Sequence, residues 1–217
     1  MEETADVPAA AQLRVIAASP DAPKMDFYAG GSALAYGLDF GTASSYVPLT
    51  PGSVSLAANT ANSAQLLVTA NAGLTAGQQY TAIVTNVAAS LQETVYPDQT
   101  RPAPRGEVAL RVIDAATRVG SVDVYLVPTG RKLAKMLPVR TGVSFGASSG
   151  YILAPAGTYS LVVLPTGTVP SPSTQTLLTA PQTSYAPGSV RTVVLVDHVT
   201  KTTPGLSQIV ASDYEPA

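Results

Sequence analysis

The sequence predicts an all-β protein with an antiparallel β-sandwich in each half, and three observations predict it. The chain repeats itself: Leu13-Arg-Val-Ile16 returns as Leu110-Arg-Val-Ile113, and Asp26-Phe-Tyr28 returns as Asp123-Val-Tyr125. Both offsets are 97 (110 − 13 and 123 − 26). Short β-branched runs are separated by evenly spaced Gly and Pro turn signals, as sandwiches require. No segment sustains a helical period over about a dozen residues.

Two copies in 217 residues leave about 95–110 residues for each, an ordinary size for one hydrophobic core. Residues 1–11 read as a flexible lead-in, 12–98 as the first sandwich, 99–106 as a Pro-rich linker and 107–217 as the second sandwich.

In chain order, Leu13–Ala18 is the first strand, and Ser19-Pro-Asp-Ala-Pro23 forces a turn because each Pro fixes φ and lacks an N–H. In Met25–Tyr28 the alternation sends Met25 and Phe27 inward and Asp26 and Tyr28 outward. The second copy agrees, with Val122, Val124 and Leu126 inward and Asp123 and Tyr125 outward. Gly30-Gly31 turns into a strand near Ala33–Leu38. Phe40-Gly-Thr-Ala-Ser-Ser-Tyr46 is echoed by Phe145-Gly-Ala-Ser-Ser-Gly-Tyr151 at an offset of 105, so eight residues (105 − 97) are inserted within Val127–Ser144.

Pro51-Gly52 and Ala156-Gly157 then turn into alternating strands, and Gln65–Thr69 and Thr176–Thr179 follow. Ala76-Gly77 matches Pro187-Gly188 at an offset of 111, which places six further residues (111 − 105) around Pro165–Ser173, an extended surface loop. The apolar runs Tyr80–Val87 and Arg191–Val199 are the expected sheet centres, and Leu91–Tyr96 and Leu206–Ser212 close each unit. The prolines of residues 99–106 favour a semi-rigid extended spacer.

Composition narrows the function. Charged residues are 12% of the chain, against about 25% in a typical soluble protein. Twelve basic and fourteen acidic residues set up no overall field for nucleic acid or an anionic membrane. The absence of Cys excludes disulfides and thiolate chemistry. No run approaches the roughly eighteen apolar residues of a membrane helix. The acidic start Met1-Glu-Glu-Thr is unlike a signal peptide. We expect a signal or lipoprotein leader to precede Met1 in the native gene, and a native start codon at Met1 would refute this.

The blocks Ala18-Ser-Pro-Asp-Ala-Pro23, Asp26–Tyr28, Phe40–Tyr46 and Pro155-Ala-Gly-Thr-Tyr159 resemble the bacterial and archaeal domain of unknown function 4397, in two tandem copies over nearly the whole chain. The resemblance implies immunoglobulin-like sandwiches in secreted or envelope-anchored proteins, with no established activity. The histidine that often precedes the Pro-rich loop is Ala17 here, and the second copy carries Ala116-Thr-Arg-Val-Gly120 in that loop's place.

Candidate chemistry is sparse. Gly146-Ala-Ser-Ser-Gly150 spells G-x-S-x-G, but it leads into a strand, and the first copy has Ala43 opposite Ser148. His198, the one histidine, reads as a strand-end residue and cannot build a His-rich metal site. Asp21, Asp26 and Asp39 could donate oxygens to Ca²⁺, yet no D-x-D-x-D-G loop is present and Asp21 fits a turn. The basic residues Arg131, Lys132, Lys135 and Arg140 read as a solvated hairpin face.

No catalytic, cofactor-binding or metal-ligating residue is therefore expected. The recurring Asp–Tyr pairs pin register across strands or, with Asp21, form a contact surface of Asp21, Asp26, Tyr28, Asp123 and Tyr125. The expected role is a non-enzymatic extracytoplasmic interaction module, with a protein or a cell-wall polymer as partner. The alternative is a glycan-binding module, favoured by exposed coplanar rings among Tyr28, Tyr36, Tyr125 and Tyr185. A hydrolase built on Ser148 or an acidic pair is a distant third.

Overall fold

The computed structural model describes residues 9–198 and 205–216, and within them strands are interrupted by only two single-turn 3₁₀ segments, Ala88–Ser90 and Leu133–Lys135. Residues 1–8 of the expected lead-in, and Val199 at the end of an expected strand, lie outside the described residues.

The first half contributes β1 (Ala11–Ala17), β2 (Met25–Ala29), β3 (Ser32–Leu38), β4 (Thr42–Ala43), β5 (Val47–Leu49), β6 (Gly52–Thr60), β7 (Leu66–Leu74), β8 (Gln79–Thr85) and β9 (Gln92–Asp98). One sheet runs β4-β1-β8-β9, with β5 also on β1, and the other runs β3-β2-β6-β7. The second half contributes β10 (Glu107–Asp114), β11 (Val122–Pro128), β12 (Arg140–Val143), β13 (Ser148–Pro155), β14 (Gly157–Pro165), β15 (Leu178–Thr179), β16 (Thr183–Tyr185), β17 (Val190–Asp197) and β18 (Leu206–Tyr214). Its sheets are β13-β10-β17-β18 and β12-β11-β14-β15, with β16 also on β14. The two halves thus repeat the same strand order.

Alternation builds each core. Leu13, Val15 and Ala17 meet Met25, Phe27, Leu56 and Val84 in the first sandwich, and Val108, Leu110 and Val112 meet Val122, Val124, Val163 and Leu195 in the second. The apolar runs expected at the sheet centres take that place, β8 between β1 and β9 and β17 between β10 and β18.

The strand pairs are antiparallel as expected except for two, β1 with β8 and β10 with β17, which are parallel. Two other expectations need correcting. The lead-in stops short of residue 11, because Ala11 is fully buried in β1 opposite Leu49. Residues 99–106 are a folded-back turn: Ala103 is buried against Ala109 and Val190 and donates its N–H to the Gly188 carbonyl at 3.0 Å. A small side chain seated in that corner outweighs the extended tendency of its proline neighbours.

The two sandwiches pack on each other through their inner sheets. The other face of β1 and β8 carries Ile16, Ala18 and Ile83, which join Ile113, Ala115, Val194, Val196, Ile209 and Ala211 in a third core. The central strands β1, β8, β10 and β17 are therefore buried on both faces. That is why Leu13–Ala18 and Leu110–Ile113 read as nearly unbroken apolar runs rather than as alternating ones.

Candidate functional site

The Asp–Tyr pairs lie on the outer sheets, on the face away from each core. Asp26 Oδ1 accepts the Gly37 N–H at 2.7 Å and its Oδ2 accepts the Asn62 N–H at 2.8 Å. Asp123 does the same with Gly142 at 2.9 Å and Gly167 at 3.0 Å. All four donors have positive φ, between 57° and 82°, so each buried carboxylate fastens two left-handed turns that flank its strand. The partners are backbone amides rather than side chains of the neighbouring strand. The pairs pin register, through turns instead of rungs.

The five-residue contact surface is not assembled as one patch. Tyr125 is 2% exposed and lies beneath Leu133 and Met136. Asp21 sits on a separate loop, where its Oδ1 accepts the Ala88 N–H at 2.8 Å. Asp39 pairs with Lys24 at 3.3 Å. Among the described residues no three His, Cys, Asp or Glu side chains converge in a way that could hold a metal ion.

Ser148 opens β13 with its hydroxyl accepting the Gly150 N–H at 3.2 Å, in a β-bulge rather than a strand-to-helix elbow. The neighbouring Ser149 explains the motif: its hydroxyl accepts the Val112 N–H at 2.9 Å and donates to the Gly150 carbonyl at 2.6 Å. Ser44 (149 − 105) does the same for Val15 in the first half, at 2.9 Å. His198 lies just past β17, its backbone N–H on the Gly205 carbonyl at 2.9 Å. The preceding Asp197 accepts Thr117 N–H and hydroxyl, each at 2.8 Å.

The largest buried polar constellation joins the two sandwiches. Arg14 Nη2 bonds Asp213 Oδ1 across the seam, and Arg111 Nη2 bonds Asp98 Oδ1 in return. Each guanidinium also donates Nε–H to a threonine of its own sandwich, Thr81 or Thr192, at 2.9 Å. Thr81 and Tyr46 hydroxyls donate to Asp98 Oδ2 at 2.6 and 2.7 Å, and Thr192 and Tyr151 donate to Asp213 Oδ2 at 2.7 Å each. Arg14 stacks 4.7 Å over the Tyr46 ring and Arg111 4.9 Å over Tyr151.

Burial pushes both phenols well above their ordinary range, so they stay protonated donors. Burial alone would lower the Arg111 pKa, but Asp98, Tyr151 and Asp213 together raise it. Every member has a twin at the corresponding position of the other repeat, so the seam has approximate two-fold symmetry. It is structural chemistry, fully committed to itself.

Among the described residues Tyr36 is the most exposed aromatic ring. Tyr36 on β3 is 69% exposed and stands edge-on to the half-buried Tyr28, with ring centroids 6.2 Å apart at 85°. Asp26, Asn59, Asn62, Ser63 and Ala64 complete an open depression of about 470 Å³. The buried Asn59 Oδ1 has no hydrogen-bond partner among the described residues. Tyr125 and Tyr185 are buried, and the two remaining rings are perpendicular rather than coplanar.

No curated protein matches the chain. Among solved structures it is similar to the crystal structure of CBMbc (family CBM26) from Eubacterium rectale Amy13K in complex with maltoheptaose. That likeness covers 94% of this chain and 98% of the other at 11% identity, and a TM-score of 0.27 makes it too poor a superposition to carry over fold or ligand. The family model for a domain of unknown function, DUF4397, matches residues 11–125. That is more than half of the 217 residues, and the chain belongs to the DUF4397 family.

Proposed function

We propose that the chain is a non-enzymatic, extracytoplasmic interaction module in which the seam holds two sandwiches as one rigid body and the Tyr28–Tyr36 face of the first receives a partner. The observation that carries it is the Tyr36 ring, 69% exposed on the face turned away from the seam and braced by Tyr28. A large aromatic left in water beside an unpartnered amide oxygen is a contact waiting for a surface. The buried carboxylates and serines that could do chemistry are instead spent on turns, bulges and the seam. Placement outside the cytoplasm rests on the family resemblance. Residues 107–217 are a second copy of the family domain in this reading, which the shared strand order and the twin residues of the seam support.

A glycan is the second reading, favoured by the ring next to Asn59, Asn62 and Ser63. Co-sedimentation with isolated cell-wall polymers tests both. Saturable binding that Tyr36→Ala abolishes assigns the face to glycan. Failure of the polymers, with a cross-linker at residue 36 trapping a discrete protein in intact cells, assigns it to a protein. Binding that Tyr36→Ala leaves intact, or no capture by either route, overturns the proposal.

A further inference from the structure

The second sandwich departs from the first in two connections, and both departures meet on one face. Where Gly30-Gly31 joins β2 to β3, residues 129–139 join β11 to β12. Where residues 61–65 join β6 to β7, residues 166–177 join β14 to β15. The first of these lies back over its sheet, held by Leu133 and Met136 on Tyr125, Val127, Val162 and Leu164. In Arg131-Lys-Leu-Ala-Lys-Met-Leu137 the anchors are spaced three apart, which turns Arg131, Lys132, Lys135 and Leu137 outward, all exposed.

Leu137 and Val169 of the second long connection line one depression with Lys135, and the carboxylate that also lines it, Asp123, is buried and held by the Gly142 and Gly167 amides. Each of these two aliphatics is 84% exposed. A second depression, of about 570 Å³, is lined by Arg131, Lys132, Lys135 and Met136. From residue 124 to residue 196 the sequence contains no Asp or Glu, and none of these cations has an ion pair among the described residues. A chain of near-neutral net charge thus carries a local cationic face with two bare aliphatic tips.

We propose that this face docks on an anionic lipid bilayer, with the cations over the headgroups and Leu137 and Val169 dipping into the interface. The cations alone would suit any polyanion. The paired aliphatic tips favour a bilayer over a soluble polyanion, because a bilayer holds an apolar layer beneath its charged headgroups that takes both tips out of water. The inference is independent of the Tyr28–Tyr36 face, which lies on the other sandwich.

The test is sedimentation of the whole protein with phosphatidylcholine vesicles with and without phosphatidylglycerol. Pelleting with the anionic vesicles only is expected. Lys132→Ala with Lys135→Ala lowers the partition coefficient about thirtyfold, at roughly fivefold per cation. Leu137→Ser with Val169→Ser weakens binding further as salt is raised. All four side chains are exposed, and unchanged thermal unfolding verifies that the variants fold. Three results overturn the proposal: no pelleting, equal pelleting without phosphatidylglycerol, or competition by soluble polyphosphate with no effect of the aliphatic substitutions. The last would make the face a polyanion site.

Discussion

The Arg14–Asp213 and Arg111–Asp98 seam decides whether the two sandwiches unfold as one, and Asp98→Ala probes it most directly. The Asp98 side chain is wholly buried and that of Arg111 is 3% exposed, so the screening that makes surface pairs nearly worthless does not apply. Asp98 accepts Arg111 from the other sandwich and the Thr81 and Tyr46 hydroxyls from its own. Removing it strands a buried guanidinium and leaves two hydroxyls without their acceptor. Breaking a buried pair from one side costs about 3–5 kcal/mol, and the stranded hydroxyls put this case at the upper end.

Guanidinium unfolding followed by far-ultraviolet circular dichroism and by tyrosine emission, the chain having no Trp, should give one coincident transition for the parent. The Asp98→Ala midpoint should fall accordingly. Adding Arg111→Met should restore part of the loss, because the two residues touch and their effects are not additive. A loss below about 1 kcal/mol, in the range of a solvated pair, or strict additivity in the double variant, would refute a tight and desolvated seam.

Two further outcomes follow from buried carboxylates. Asp123→Ala removes the acceptor for the Gly142 and Gly167 amides. At about 1.5–3 kcal/mol for each charge-assisted bond, less what water recovers, we expect roughly 2–4 kcal/mol lost in denaturant titration, and faster amide exchange at both glycines than in the parent. Asp114 ends β10 with Oδ2 buried and unpartnered among the described residues, and burial raises its pKa from 3.8 to about 6, with Asp197 adding to the rise. The folded chain therefore holds a proton there that the unfolded chain has released, so stability falls as pH climbs through that window. Asp114→Asn should gain on the parent over the same interval, and a difference between the two that stays constant with pH would show that the group does not titrate there.

Much of this architecture is legible in the residues. Met25 and Phe27, with Val122, Val124 and Leu126, point inward as alternation requires, because each outer sheet packs on one core through one face. The seam is harder to see. Arg14 and Arg111 recur inside Leu-Arg-Val-Ile, an apolar run with no polar face to receive them, and that anomaly was the available signal. Their acceptors Asp98 and Asp213 stand 115 apart (213 − 98), an offset no shared motif marks, and the partners come from opposite halves. Local pattern carries no information on the Arg14–Asp213 contact, 199 residues apart in sequence, and the Arg111–Asp98 contact crosses from one half to the other. The Asp26 and Asp123 acceptors escaped for a related reason: their donors are turn amides, and an amide leaves no trace in residue identity.

The two inner sheets carry matched seam residues, whereas the two outer faces differ. Each inner sheet is held by twin residues at matched positions, and changing either copy alone would strand a buried charge of the other. The outer sheets have no such mutual constraint. On the first, a two-residue turn leaves Tyr36 exposed beside the half-buried Tyr28. On the second, a longer connection roofs the equivalent Tyr125 with Leu133 and Met136 and turns lysines to solvent. One scaffold thus presents an aromatic face on one sandwich and a cationic face on the other, joined through the seam.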